Sequence, residues 1–325
     1  MKVLITGITG LLGSYLAKEF ADLGALHGLR RKDSPLNLLD GLEGQISWHE
    51  GDINDFQSLE DALQDMDMVV HAAGLTPVNA PEEERLLKVN TEGTTNLVNA
   101  MLSAGTKRLV YISSASALGI DPDTDVINEQ YKWTTSDFNS PYAVSKHLAE
   151  LEVWRGAQEG LEVMVFNPTT LLPKITDSRS SARIYRYLLG SQYGSEAGNF
   201  NYIDIRDASK WIARLVQKAD WNARYIINKE SIPFREFLAQ LQEAFNLLSG
   251  NRELPGKKPI GWRKFIPSLF KRKSYGRFDG LNGLISDKPL VYDNQKAQRL
   301  SAYRFRPLEE TLLWAAGNES KSIPV

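Results

Sequence analysis

Short apolar runs alternate with stretches whose apolar positions recur every three or four residues, and this alternation persists through the first half of the chain. Lys2–Thr6, Ala25–Arg30, Ile46–Glu50, Met68–His71, Arg108–Ser113 and Glu162–Asn167 read as strands. Leu11–Leu23 sets Leu12, Leu16, Phe20 and Leu23 on one helical face, and Glu82–Ala104 and Tyr142–Glu159 are also helical. Strands separated by helix-length connections cannot close as hairpins. They pair in parallel and need helices on both faces. Right-handed crossovers then predict an α/β fold, a doubly wound parallel sheet with its ligand crevice at the carboxyl ends of the strands.

Beyond Pro168 the pattern loosens. Ser180–Leu189, Asp207–Ala219, Phe234–Leu247 and a stretch near Leu308–Ala315 are helical, and Ala223–Asn228 reads as one more strand. The expectation is a smaller C-terminal lobe over the carboxyl edge of the sheet, with one segment returning to the sheet.

Composition narrows the function. A length of 325 residues suits one large α/β unit or two interlocked domains. The absence of Cys removes disulfides, thiolate metal sites and Cys nucleophiles together. A formal net charge of −2 supplies no global field to recruit nucleic acid. The opening MKVLITGITG reads as a strand and a glycine turn rather than a signal peptide. No apolar run approaches the ~18 residues of a membrane span, so a cytoplasmic protein without an integral membrane segment is expected. His27, His49, His71 and His147 share no metal-ligand spacing, so no metal site is predicted.

The first candidate chemistry is Thr6-Gly7-Ile8-Thr9-Gly10-Leu11-Leu12-Gly13, a glycine turn between a strand and a helix. Gly7 can take the tight turn, Gly10 lets backbone approach a pyrophosphate, and Gly13 lets the helix pack close to the strand. The pyrophosphate would sit on the helix N-terminus, so Gly7, Thr9, Gly10, Leu11 and Leu12 are cofactor-binding candidates. A dinucleotide-binding domain over 1–170, joined by 205–228, and a substrate lobe from 171–204 and 229–325 follow. At the end of the second strand, where an NAD site usually carries an acid, the chain has Arg30 and Arg31. Two guanidiniums suit a 2′-phosphate, so NADP is expected first and NAD second; a solvated basic turn is the competing reading. Asp52 and Ile53 would meet the adenine, although Asp52 could equally cap a helix. Ala72, Ala73 and Gly74 are small enough for close approach to the adenosine and pyrophosphate.

The second is Tyr142-Ala143-Val144-Ser145-Lys146 at the start of a helix. Residues at i and i+4 share a face, so phenol and ammonium can point into one crevice. A neighbouring Lys⁺ favours phenolate and would lower the Tyr142 pKa, making it a usable acid/base. Ser113 and Ser114 end the fifth strand, where a hydroxyl could hold a substrate oxygen.

TGITGLLG, GDIND, HAAG, VNTEGTTNL, YISSASALG, YAVSK, VFNPT, FNYIDIRDAS and the late YDNQKAQRL…PLEETL, in this order, resemble the extended short-chain dehydrogenase/reductase family, which includes the NAD-dependent epimerases and dehydratases. The resemblance runs over essentially the whole chain and implies a Rossmann-type fold. It implies Tyr142 as proton donor, Lys146 as the residue that binds the nicotinamide ribose and tunes Tyr142, and Ser114 as the group that polarises a carbonyl. Asn90 matches a structural and proton-relay position; Pro168 and Thr169 match the segment beside the nicotinamide. A homodimer through the Glu82–Ala104 and Tyr142–Glu159 helices is also implied.

Within the family, dehydratases carry Asp-Glu after the catalytic hydroxyl residue, whereas Ala115-Ser116 follow Ser114 here. Leu118-Gly119 and Arg30-Arg31 depart from the epimerase pattern. YAVSKHLAELEVW, with Trp154, resembles the dihydroflavonol reductase-like branch, although Trp154 could simply be core. The sequence reading is therefore an NADPH-dependent reductase of a carbonyl on a small organic or nucleotide-linked substrate. The alternatives are a nucleotide-sugar epimerase with retained NAD and a non-catalytic NADP-sensing protein.

A last feature is the late basic stretch 257–277, with Lys257, Lys258, Arg263, Lys264, Lys271, Arg272, Lys273 and Arg277 among Trp262, Phe265 and Phe270. Three readings stand beside one another: a lobe helix with solvated charges, a rim that attracts an anionic substrate, and weak contact with an anionic membrane surface.

Overall fold

The computed structural model describes residues 1–76, 82–121, 123–136, 139–177, 183–185, 188–189, 198–246 and 289–317. Its main sheet is built from β1 (Lys2–Thr6), β2 (Ala25–Arg30), β3 (Ser47–Glu50), β4 (Met68–His71), β5 (Arg108–Ile112), β7 (Glu162–Pro168) and β10 (Ala223–Ile227). Their order across the sheet is β10-β7-β5-β4-β1-β2-β3, with every pairing parallel. This is a Rossmann-type doubly wound sheet, and the strand order reverses between β1 and β4, where such sheets open a crevice.

The connecting helices are α1 (Leu11–Phe20), α2 (Phe56–Ala62), α3 (Glu83–Leu86), α4 (Gly93–Ala104), α5 (Pro141–Gln158) and α6 (Ile205–Lys218). Alternation along each strand divides the core into two layers. Val3, Ile5, Val70, Val110 and Phe166 face α1 and α6, against Leu16, Phe20, Trp211 and Leu215. Leu4, Val69, Leu109, Tyr111 and Val165 face α4 and α5, against Leu97, Met101 and Val153. Several helix starts are fixed by side chains that satisfy free N–H groups. Ser140 accepts from Ala143 N at 3.0 Å ahead of Pro141 in α5, and Asp204 accepts from Arg206 N at 2.8 Å ahead of α6. Gly105, at φ 77°, closes α4 in the left-handed conformation.

The lobe carries strands that periodicity did not predict: β8 (Thr170–Leu172), β9 (Asn199–Asp204) and β11 (Glu230–Pro233) form the sheet β11-β9-β8. Asn199, Phe200, Asn201 and Tyr202 alternate polar with apolar, yet Phe200 to Asp204 are all buried, so both faces of β9 are covered. Leu172, Tyr185, Phe200, Tyr202 and Phe237 form a core with Leu241 of α7 (Phe234–Asn246) and Leu312 of α9 (Leu308–Ala315). Two further strands, β6 (Val126–Ile127) and β12 (Val291–Tyr292), pair in parallel, and α8 (Gln295–Ser301) follows. The basic stretch 257–277 lies outside the described residues. Among the described residues, no helix is long and apolar enough to cross a membrane.

Candidate active site

Ser140 and Pro141 set the first turn of α5, and that turn brings Tyr142 to Ser114 at the carboxyl end of β5. Tyr142 is half-buried. Surrounding protein nevertheless raises its pKa by desolvation, and a hydrogen bond with Ser114 acts in the opposite direction. Ser114 Oγ also accepts from Ser116 N at 3.2 Å, capping the short turn Ala115–Leu118.

Lys146 sits one turn below and is only 5% exposed. Its Nζ donates to Tyr111 Oη at 2.9 Å and to the Ile112 carbonyl at 2.8 Å. Burial lowers its pKa to about 7, against the opposing charge of Glu150. The sequence expectation that Lys146 lowers the Tyr142 pKa does not describe this geometry. The ammonium is turned towards Tyr111 and Ile112, and desolvation leaves the Tyr142 pKa above its ordinary value.

One further turn along α5, Glu150 is 1% exposed and pairs with Arg224 of β10. Asn167 Nδ2 donates both to Glu150 Oε1 and, at 2.9 Å, to the Ser114 carbonyl. Tyr142, Lys146 and Glu150 recur at i, i+4 and i+8, a spacing that could have identified Glu150 from sequence. Trp154 is half-buried against the core, with the Arg224 guanidinium 5.8 Å from its ring centroid.

Asn90 lies in a π-helical segment, Leu87–Glu92, between α3 and α4. Its side chain accepts from Leu75 N at 2.7 Å and donates to Leu75 O and Ser145 Oγ, both at 3.0 Å. Asn90 thus ties the segment after β4 to α5. Pro168 is buried at the end of β7, and Thr169 Oγ1 donates to Asn228 Oδ1 at 2.9 Å.

The glycine turn approaches the segment after β4. Gly7 has φ 69°, and a Cβ there would lie 2.5 Å from Ala73 N; one on Gly13 would lie 2.1 Å from Gly7 O. Only glycine allows these approaches. Ala72 N donates to Thr6 O at 3.1 Å, and a Cβ on Gly74 would lie 3.1 Å from Asn90 Oδ1. Thr9, Leu11 and Leu12 are half-buried around the turn, and Gly10 is exposed. Gly10 gives α1 no side-chain cap. First-turn N–H groups are therefore available to an anion, which fits the pyrophosphate of a dinucleotide. At the other end, the buried Ser113 Oγ and Asn167 Oδ1 have no hydrogen-bond partner in the protein.

The residues expected around the adenosine lie at the carboxyl ends of β2 and β3. Asp52 Oδ1 accepts from Asn54 N at 2.9 Å, while Asp55 caps α2. Ile53 is 7% exposed, close enough to Gly93 that a Cβ there would lie 2.7 Å from its side chain. Arg30 lies over the Trp48 ring, 4.9 Å from its centroid, and Arg31 Nη1 is 4.0 Å from Asp52 Oδ2.

The sequence pattern of the NAD dependent epimerase/dehydratase family matches residues 3–228. The chain belongs to this family. Like other members, it is an enzyme of the NAD(P)-binding oxidoreductase and epimerase/dehydratase class. A putative dihydroflavonol 4-reductase from Synechocystis sp. is 28% identical over 304 residues, spanning 90% of this chain and 87% of that protein. Two solved structures share the fold. The Bordetella bronchiseptica enzyme WbmH in complex with NAD+ has a TM-score of 0.71 at 20% identity, covering 99% of each chain. Thermus thermophilus UDP-glucose 4-epimerase in complex with NAD has a TM-score of 0.73 at 19% identity, covering 99% of this chain and 100% of that one.

These findings correct the expectation of NADP. Both solved relatives hold NAD. The two arginines behind the expectation are also not a free phosphate clamp, because Arg30 is laid on Trp48 and Arg31 faces a carboxylate. A carboxylate at that position opposes a 2′-phosphate by like charge.

Proposed function

We propose that this protein is an NAD-dependent enzyme that oxidises a carbinol carbon of a nucleotide-linked or small substrate and reduces it again, with the cofactor retained, as an epimerase does. The observation that supports this reading is the Tyr142–Ser114 hydrogen bond at the rim of β5, one turn above a buried Lys146. NAD, when bound, supplies the hydride acceptor and donor. The N–H groups at the start of α1 hold its pyrophosphate, with Gly7, Gly10 and Ala73 giving the backbone its close approach. As phenolate, a form that the positive charge of a bound nicotinamide would favour against the desolvation, Tyr142 would take the carbinol proton as the carbonyl forms and, then a phenol, would return it on reduction. Ser114 donates a hydrogen bond to the same substrate oxygen, where negative charge develops. Lys146 spends two of its N–H groups inside the protein and keeps the third for the cofactor ribose and the Tyr142 side. Ala115 and Ser116, not carboxylates, directly follow Ser114, so an elimination is not part of the reading.

The second reading is net reduction of a carbonyl, favoured by the reductase from Synechocystis sp., which aligns over 90% of this chain. One experiment separates the two. Protein purified without added cofactor and then denatured should release NAD, and it should interconvert members of a nucleotide-sugar panel with no net change in NADH. Stoichiometric NADH consumption on an aldehyde and ketone panel, with no released NAD, would overturn retention in favour of reduction.

A further inference from the structure

Strand β5 leaves the main sheet where the candidate chemistry begins. Its last register pair with β7 is Ile112 with Phe166, and Ser113 N donates to Phe166 O at 2.8 Å. Pro168, at the end of β7, has no N–H with which to continue that ladder. Ser114 stands just past this rung, and a side chain takes up its carbonyl: Asn167 Nδ2 donates to it at 2.9 Å. The same amide nitrogen donates to Glu150 Oε1. A carbonyl and a carboxylate both need a donor, so the two acceptors together fix which way the Asn167 amide faces. Its Oδ1 has no partner among the described residues, so the recorded bonds of the side chain are these two donations.

Glu150 is itself fixed. It is 1% exposed, its other oxygen pairs with Arg224 of β10, and it lies on α5 together with Tyr142. Asn167 thus joins the backbone of Ser114 to the helix that carries Tyr142, beyond the last rung of the β5–β7 ladder. We propose that Asn167 is a positioning residue for Ser114, holding the Ser114 backbone in place relative to Tyr142 by bonding Glu150 of the same helix. The inference rests on the role given to Ser114 in the hydride-exchange reading above. Asn167 grips the carbonyl and leaves the hydroxyl alone; Ser116 N is the group that donates to Ser114 Oγ, at 3.2 Å. What Asn167 fixes is the backbone from which that hydroxyl projects. A misplacement of about 1 Å at a reacting group can cost roughly 10²-fold in rate.

The test is a double-mutant cycle in the full-length protein, read on the nucleotide sugar or carbonyl compound that the parent turns over fastest. Asn167→Ala removes both donations. Ser114→Ala removes the hydroxyl and keeps the carbonyl that Asn167 holds. Asn167→Ala should lower kcat by roughly 30- to 100-fold, with KM and the Kd for NAD within about threefold of the parent. In the Ser114→Ala background the same substitution should cost less than about threefold in kcat, because no hydroxyl is left to misplace. Its loss in Tm should be equal in the two backgrounds, since the carbonyl is present in both. A residue that serves stability alone would cost the same factor in kcat with and without the Ser114 hydroxyl. That result, or parental kcat in folded Asn167→Ala, would overturn the inference and leave the role of Ser114 standing. Glu150→Gln carries the same cycle if Asn167→Ala does not fold. Arg224 claims the new amide oxygen, the amide N–H groups face Asn167 Nδ2, and the same coupling to Ser114 should appear at about tenfold in kcat. Parental kcat in Ser114→Ala alone would overturn the role of Ser114 and this inference together.

Discussion

At the end of the cleft near α5, the polar groups are inside the protein: Ser114, Lys146, Glu150 and Asn167 are each 9% exposed or less. At the end near β2, Arg31 is 76% exposed and Asp52 38% exposed, at opposite sides of a 4.0 Å ion pair. A buried polar group must have a partner, so the identity and spacing of its neighbours are constrained by energy. Exposed charges trade partners with water and salt at a cost near zero. Chemistry is therefore written into the sequence firmly at the first end and loosely at the second. The Tyr142/Lys146 spacing led to residues that pack at one rim, whereas Arg30 and Arg31 suggested a phosphate site that the comparisons with known proteins did not uphold.

The largest expected effect belongs to the enclosed end. Tyr142→Phe should lower kcat by roughly 10³-fold, within the usual range for an acid/base residue, while NAD affinity measured by calorimetry stays within about threefold. Activity within tenfold of the parent would mean that burial at this end serves packing alone.

Next comes the pH dependence of stability. The folded His71 pKa is about 3 and the unfolded value is near ~6.5, so the unfolded chain takes up its proton first as pH falls. The contribution is fully present above about pH 6.5 and is lost progressively down to about pH 3. Between neutral pH and about pH 4 this amounts to roughly 3 kcal/mol. Denaturant titrations should therefore show a steeper acid loss for the parent than for His71→Gln. Parallel slopes would mean that His71 is more open to water than its surroundings imply.

The smallest effect is expected at the open end. Arg31→Ala should change the Kd for NAD by less than about threefold, as befits an exposed pair. A much larger change would show that this end is as exacting as the other.

Most of the fold could be read from the chain because long amphipathic helices and continuous apolar strands leave periodic marks. Ala25–Arg30, Met68–His71 and Leu308–Ala315 have the bounds expected of them. The short strands of the lobe left no such mark. Thr170–Leu172 spans three residues, and Asn199–Asp204 alternates only over Asn199–Tyr202, a run too short to stand out. In the candidate site, motifs made Tyr142, Lys146 and Ser114 visible. Tyr111, Thr94 and His71 were not visible: sheet register alone sets His71 beside Tyr111, and Thr94 meets His71 from α4. Lys146 was expected to act on Tyr142 directly, and sequence spacing could not reveal that its ammonium bonds a phenol on the neighbouring strand.

The edge strand Ala223–Ile227 pairs with Glu162–Pro168, yet it follows Thr170–Leu172 and Asn199–Asp204 along the chain. The lobe is thus spliced into the nucleotide-binding half instead of being appended to it. Trimming the polypeptide after Thr169 would strip the outermost ribbon from the sheet and leave the Glu162–Pro168 backbone bare, with Glu150 robbed of its guanidinium. Any exchange of this lobe must therefore be stitched at several seams, because the chain returns to the main core at Ile205–Ile227 and again at Ala297 and Tyr303 before Leu308–Ala315 re-enters the lobe.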